Sequence, residues 1–321
     1  MNSPAIAFVR RHGTLIGVAL VVVYFWLHLP ATFLTGRNLL NISQQMSMLT
    51  VVASTMTVVM AMGDFDLSVG SMASLAGVVA ALVFLAGGST AVAIGVALSA
   101  GLVGGLLNGF LVAYVGILPF ILTLGAMTVY GGLAFWLSGG KTLFGSAIPH
   151  GFSDFARSGI PLGFDLTFPN LTLLALLSAA LVWVFLEQTV AGRRLYAIGD
   201  NAEAARLAGV PVRPLRFASF GLAGVGAALA GLMYASRVAS ANPTQGSGLM
   251  LDAIAAVFLG QTMTEEGEPR VLATLAGVLI IGVLGNGLTQ MNVDSYVRDM
   301  LTGAIVIAAV ATSSLGRRRG E

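Results

Sequence analysis

Apolar runs near 20 residues long recur along the whole chain, separated by short polar breaks. Inside a bilayer every backbone N–H and C=O must be satisfied within the chain, so such runs can only become spanning helices. About ten of them can be marked: 13–28, 39–62, 71–86, 90–115, 119–138, 170–186, 215–236, 249–263, 271–291 and 298–312. The expected fold is an all-α membrane protein forming one transmembrane domain over residues 1–321. Charged residues make up 9% of the chain, against roughly 25% in soluble domains. Glycine reaches 41 of 321 residues, and in membrane proteins small residues let helices approach closely.

Basic residues orient the helices. If the N-terminus is inside, 11 of the 16 Lys and Arg residues fall on the inner side: Arg10, Arg11, Arg193, Arg194, Arg206, Arg213, Arg216, Arg270 and Arg317 to Arg319. Arg37, Lys141, Arg157, Arg237 and Arg298 fall outside. This bias predicts both termini in the cytoplasm. The first run resembles a signal peptide in position, but no small-x-small cleavage site follows it, so it reads as a span.

The same bias places residues 192–213, GRRLYAIGDNAEAARLAGVPVR, in the cytoplasm. Asp200 is placed to cap a short helix, and Glu203 three residues later completes a capping box. Gly209 stands where that helix ends, with Pro211 just beyond. A short capped helix between two spans suits docking by another protein, although an ordinary helical loop has the same signals.

Ionisable groups near apolar runs are the candidates for function. Asp64 and Asp66 lie in GDFDLSVG before the third span; with Ser68 they either cap that span or line a polar path, and Gly63 and Gly70 suit a tight turn. Asp252 sits near the start of the eighth span, where capping or an interhelical contact is the simpler role. Asn108 and Asn286 lie in matching Gly-x-x-x-Asn-Gly frames, 104–109 and 282–287, of oppositely directed spans. That correspondence suggests an inverted repeat of two five-helix halves. Asparagines in such runs ordinarily bond between helices.

No cysteine is present, so thiol catalysis and disulfides are excluded. The three histidines, His12, His28 and His150, are scattered and suggest no metal site. No catalytic Ser/His/Asp set and no phosphate-binding Gly-Lys loop appears. The chain reads as a non-enzyme without a cofactor of its own. A secondary transporter that binds a proton on Asp64, Asp66 or Asp252 and a membrane-embedded enzyme are the competing classes.

These residues resemble the permease subunits of bacterial ABC importers for ribose, xylose and arabinose. The resemblance rests on GDFDLSVGS at 63–71, Asn108-Gly109, GRRLYAIGDNAEAARLAGVPV at 192–212, NPTQGSGLMLDAIAAVFLG at 242–260 and the basic tail. It implies a homodimeric or paired permease in the bacterial inner membrane, fed with monosaccharide by a periplasmic binding protein. It implies a separate cytoplasmic ATPase carrying ATP and Mg, contacted by the coupling segment through Arg193, Arg194, Asp200, Asn201, Glu203, Arg206 and Gly209. A sugar path would involve Asp64, Asp66, Ser68, Asn108, Asp252 and Asn286. Phe65, Phe120 and Trp136 are aromatic candidates for stacking on a sugar ring. Phe65 between the two aspartates resembles the arabinose branch. One segment departs from the family: the turn after the eighth span, GQTMTEEGEPR at 260–270, carries three glutamates where the family has glycines.

Overall fold

The computed structural model describes residues 17, 19–264 and 267–317. Arg10, Arg11, His12, Glu265, Glu266, Arg318 and Arg319 lie outside the described residues. The expected spans are all helical where described: α1 (Ala19–His28), α2 (Gly36–Ala61), α3 (Val69–Leu85), α4 (Thr90–Phe110) and α5 (Pro119–Ser138). In the second half come α7 (Asn170–Trp183), α9 (Val212–Val238), α10 (Leu249–Gln261), α11 (Val271–Gln290) and α12 (Ser295–Arg317). Five helical stretches among the described residues are long and apolar enough to cross a membrane: Thr90–Val115, Pro119–Ser138, Asn170–Gln188, Val212–Val238 and Val271–Gln290. Ala19–His28, α3 and α10 are apolar but shorter, so the chain is a multi-pass helical protein rather than a set of ten equal spans. Helix α2 is 26 residues long but rich in hydroxyls. It buries them by bonding to its own backbone: Ser54 Oγ donates to the Thr50 carbonyl and Thr57 Oγ1 to that of Ala53, each at 2.7 Å.

Residues 141–168, which lie between the fifth and sixth apolar runs, carry structure of their own. β1 (Leu143–Phe144) pairs with β4 (Ser240–Ala241). Helix α6 (His150–Arg157) buries Phe152, Ser153 and Ala156. A hairpin of β2 (Gly159–Gly163) and β3 (Leu166–Pro169) follows. The α6 pattern is amphipathic over only eight residues, which polar neighbours obscure.

Helix α9 is the centre. Its small residues face α4 on one side and α3 on the other. A Cβ at Gly101, Gly105 or Gly109 of α4 would run into the α9 backbone at Gly224, Phe220 and Phe217. One at Gly231 would meet the α3 backbone at Ala73. Backbones thus touch along a small-residue seam, where dispersion rather than water exclusion holds apolar helices together. Gly224→Leu is expected to force α4 and α9 apart and lower stability by about 1–3 kcal/mol, as overpacking does. A lower unfolding temperature in mild detergent, followed by circular dichroism, checks this.

The connections gather at two ends. At one, a Cβ on Gly199 would meet the Ala61 backbone, Tyr196 Oη donates to the Pro269 carbonyl at 2.9 Å, and Arg216 faces Asp64. At the other, Asn242 bonds Thr142 and Thr32 bonds Gln290. Alternate crossing of the bundle, as the sequence implied, produces this sorting.

Two helices begin inside the bundle rather than at its ends. Arg216 and Gly231 are separated along α9 by about 22 Å of helix. Asp64 meets Arg216, whereas Ala73 meets Gly231. The irregular segment Asp64–Ser68 therefore climbs into the bundle before α3 starts. From the opposite end, residues 242–248 descend to meet it: a Cβ on Gly70 would strike the Gly246 carbonyl, one on Gly246 would strike that of Gly70, and the Gly246 N–H donates to Ser74 Oγ at 2.8 Å. The first turn of α3 and the entry to α10 cross there, the arrangement in which helices broken at mid-depth bring two N-termini together. Gly70 thus serves a close crossing, not the tight turn expected of it. The turn belongs to Gly63, at φ +78.

Candidate functional site

The candidate residues fall into three groups. The first is the strip Gly63–Ser68. Helix α2 ends in a Schellman motif, the Asp64 N–H donating to the Val59 carbonyl at 3.3 Å and that of Gly63 to Met60 at 2.9 Å. This throws Asp64 toward α9. Arg216 Nη2 donates to Asp64 Oδ1 at 3.3 Å, and Nε stands 2.7 Å from Oδ2. The shorter contact is too far off line to be a hydrogen bond and acts as a charge pair. Both side chains are largely buried, at 7% and 24% exposure. Asp64 is therefore not a cap.

Asp66 does not cap α3 either, whose N-cap Ser68 makes no side-chain cap bond. Its Oδ1 accepts from the Ser68 N–H at 2.9 Å and from Ser68 Oγ at 2.6 Å, closing a turn one step before the helix. Ser68 Oγ in turn accepts from Asn108 Nδ2 at 3.0 Å. The single proton of Tyr130 Oη is within reach of Asn108 Oδ1 at 3.0 Å and the Gly104 carbonyl at 2.9 Å. Asp66, Ser68, Asn108 and Tyr130 are all buried, and they pin the start of α3 to α4 and α5. Asn108 plays the interhelical role expected of it. So does Asn286, whose Oδ1 accepts from Asn38 at 3.0 Å and from Gln290 at 2.8 Å.

The second group is the segment 192–213. It belongs to α8 (Val190–Leu207), which begins earlier than expected, with Thr189 Oγ1 accepting from the Gly192 N–H at 3.2 Å. The helix is interrupted at Asn201, whose φ is -158. Asn201, not Asp200, caps the second part: its Oδ1 accepts from the Glu203 and Ala204 N–H groups at 3.1 and 2.9 Å. This shifts the cap by one residue, leaving Glu203 one position short of the capping box. It pairs instead with Arg206, whose Nε donates to Glu203 Oε2 at 3.0 Å. That bond holds the fully exposed Glu203 carboxyl below its ordinary range. Gly209, at φ +81, closes the helix as expected, with Val210 N–H donating to Ala205 and Gly209 N–H to Arg206. Arg193, Arg194, Asp200, Asn201, Glu203, Arg206 and Leu207 are exposed. Asn201→Ala is expected to destabilise this turn by about 1 kcal/mol and Asp200→Ala hardly at all. Hydrogen exchange at the Glu203 and Ala204 amides separates the two.

The acidic turn lies at the same end. Glu187 Oε1 accepts from the Val271 N–H at 2.9 Å, and Thr264 Oγ1 donates to the Glu268 carbonyl at 3.0 Å.

The third group surrounds Asp252, which makes no cap hydrogen bond in α10. It lines a cavity of about 330 Å³ with Gln45, Tyr234, Arg237, Asn286 and Arg298. Phe65 packs near Phe258, with ring centres 6.0 Å apart and planes tilted by 34°. Phe120 and Trp136 are exposed on the outside of α5, away from all three groups. Arg216 and Tyr130 were missed as site residues. An arginine four residues into a helix that turns apolar, and a tyrosine on an apolar face, were the available signals.

A family described as branched-chain amino acid transport system / permease component matches residues 38–310. The ribose import permease protein RbsC of Bacillus subtilis is 38% identical over 301 residues, covering 94% of this chain and 92% of that protein. The galactose/methyl galactoside import permease protein MglC of Escherichia coli is 34% identical, covering 98% and 97%. A probable ABC transporter permease protein, y4mJ of Sinorhizobium fredii, is 34% identical, covering 94% and 88%. No solved structure matches the chain. The sugars in these names are ribose and galactose, so the arabinose leaning drawn from Phe65 gains no support.

Proposed function

The chain belongs to the permease-component family matched over residues 38–310, and we propose that it is the membrane subunit of an ATP-driven importer of a monosaccharide, a pentose such as ribose. The observation that carries this is likeness to a ribose import permease over nearly the full length of both chains. The cytoplasmic end is the one bearing α8, since basic residues gather there, and both termini lie on that side. A separate ATPase supplies hydrolysis with its own ATP and Mg. A periplasmic binding protein delivers sugar to the opposite end, and a second copy of the permease completes the path.

The geometry supplies a route for coupling. The exposed turn Glu203–Leu207 meets the ATPase. Residues 208–211 lead directly into α9, whose second turn carries Arg216. Arg216 grips Asp64, and Asp64 begins the strip that climbs to the crossing of Gly70 and Gly246. A shift of the coupling turn is thereby felt at the break, where the path opens. The proton-coupled reading loses two of its three carboxylates, since Asp64 is paired with an arginine and Asp66 is bonded to Ser68, and likeness to an import permease weighs against it at Asp252.

Proteoliposomes holding this chain, its ATPase and its binding protein test the reading. Ribose is expected to accumulate only with ATP, and leucine not at all. Accumulation driven by a proton gradient without the ATPase would overturn it.

A further inference from the structure

The cavity beside Asp252 is occupied by no side chain of the described residues, yet it is lined by charge. Asp252 comes from α10, Tyr234 and Arg237 from α9, Gln45 from α2, and Arg298 and Thr302 from α12. Gln45, Arg237 and Asp252 are half-buried, and among the described residues none of their side chains makes a hydrogen bond. Arg298 pairs loosely with Asp299, at 3.9 Å, and lies near enough to Asp252 to attract its charge. Charged groups within apolar helices are costly, so unspent ones that face a cavity mark a site for something else. Stabilising the first turn of α10 would explain Asp252, but not Arg237, whose guanidinium makes no hydrogen bond among the described residues.

The donor and acceptor pattern selects the ligand. A carboxylate only accepts, a guanidinium only donates, and an amide does both. An anion would face Asp252 and a cation would face two arginines. A neutral polyhydroxylated ring is served by all of them: hydroxyl protons go to Asp252, hydroxyl oxygens to Arg237 and Arg298, and an apolar ring face can lie on Tyr234. About 330 Å³ falls within the size of small-ligand sites. The cavity also lies on the receiving side, bordered by Leu249, where α10 begins, and by Asn286 near the opposite end from Arg216.

We infer that this cavity is a transient binding site for one monosaccharide on its way in, standing just before the crossing of α3 and α10. The inference rests on the importer reading above. It adds Gln45, Tyr234, Arg237, Arg298 and Thr302 to Asp252 as the groups that hold the sugar.

The absence of native cysteine makes a direct test available. Q45C and T302C, each in the complete transporter in proteoliposomes, are treated with a membrane-impermeant maleimide from the binding-protein side. Both are expected to label, and ribose-loaded binding protein is expected to slow labelling at least threefold. D252N and R237Q are expected to cut ribose uptake at least tenfold while retaining full co-purification with the ATPase. If D252N fails to reach the membrane, R237Q and Q45A carry the test. Labelling that ribose leaves unchanged, or D252N and R237Q uptake within twofold of the parent, overturns the site. Loss of ATP-driven ribose uptake by the unsubstituted chain overturns the importer reading instead, so the two failures are distinct.

Discussion

Arg216→Gln will abolish ATP-driven uptake, and Asp64→Gln will do so equally. Each change removes one half of a pair whose carboxylate is only 7% exposed. An uncompensated charge is left inside, at a cost of about 3–5 kcal/mol when a buried pair is broken. The neutral double variant leaves no orphaned charge, so it should recover stability that neither single change retains. It should not recover uptake, because the charge pair that ties α9 to the strip below α3 would be gone. The thermodynamic cycle measured by unfolding in detergent and the same cycle measured by uptake should therefore disagree. Should the double variant transport at the parental rate, the pair is a structural staple and plays no part in coupling.

The second large effect is expected at the exposed end of α8. Changing Glu203 and Arg206 together to alanine should weaken co-purification with the ATPase at least tenfold and remove uptake. Insertion and thermal stability should be untouched, because water screens an ion pair on a fully exposed face. That separation is the point of the experiment: a residue pair with almost no role in folding has its effect only through a partner. Arg206 depresses the Glu203 pKa. Its contribution is therefore present above the ordinary carboxylate range and fades only as pH falls through the depressed value. Docking should be flat with pH around neutrality, and a decline in association between mildly acid and neutral conditions would point to other groups.

Much of the helical layout was legible because periodic polar breaks must fall at helix ends. Gly209 could be read directly, since a residue at a positive φ after a short helix is nearly always glycine. Its neighbour the cap could not, because Asp200 and Asn201 are both good caps and only the chain path chooses between them. The pairing of Asp64 with Arg216 spans 152 residues. No local pattern encodes it, so the aspartate looked like a cap and the arginine like a topology marker. The cavity around Asp252 is harder still, as five helices line it and each lends only one or two polar residues to an apolar sequence. The hairpin of β2 and β3 was hidden for another reason: its turn places Phe164 and Asp165 at positive φ, where sequence reasoning looks for glycine or asparagine.

Helix α10 has 13 residues, about 20 Å of length against a hydrocarbon layer of about 30 Å. It cannot lodge across a bilayer by itself while the chain is being made. Its stable place exists only once the crossing partner in α3 and the seam along α9 are already there. Insertion of the second half should accordingly wait on the first, with the α10–α11 region entering as a unit. A chain truncated to begin after α5 should leave α10 accessible from the water it was meant to leave.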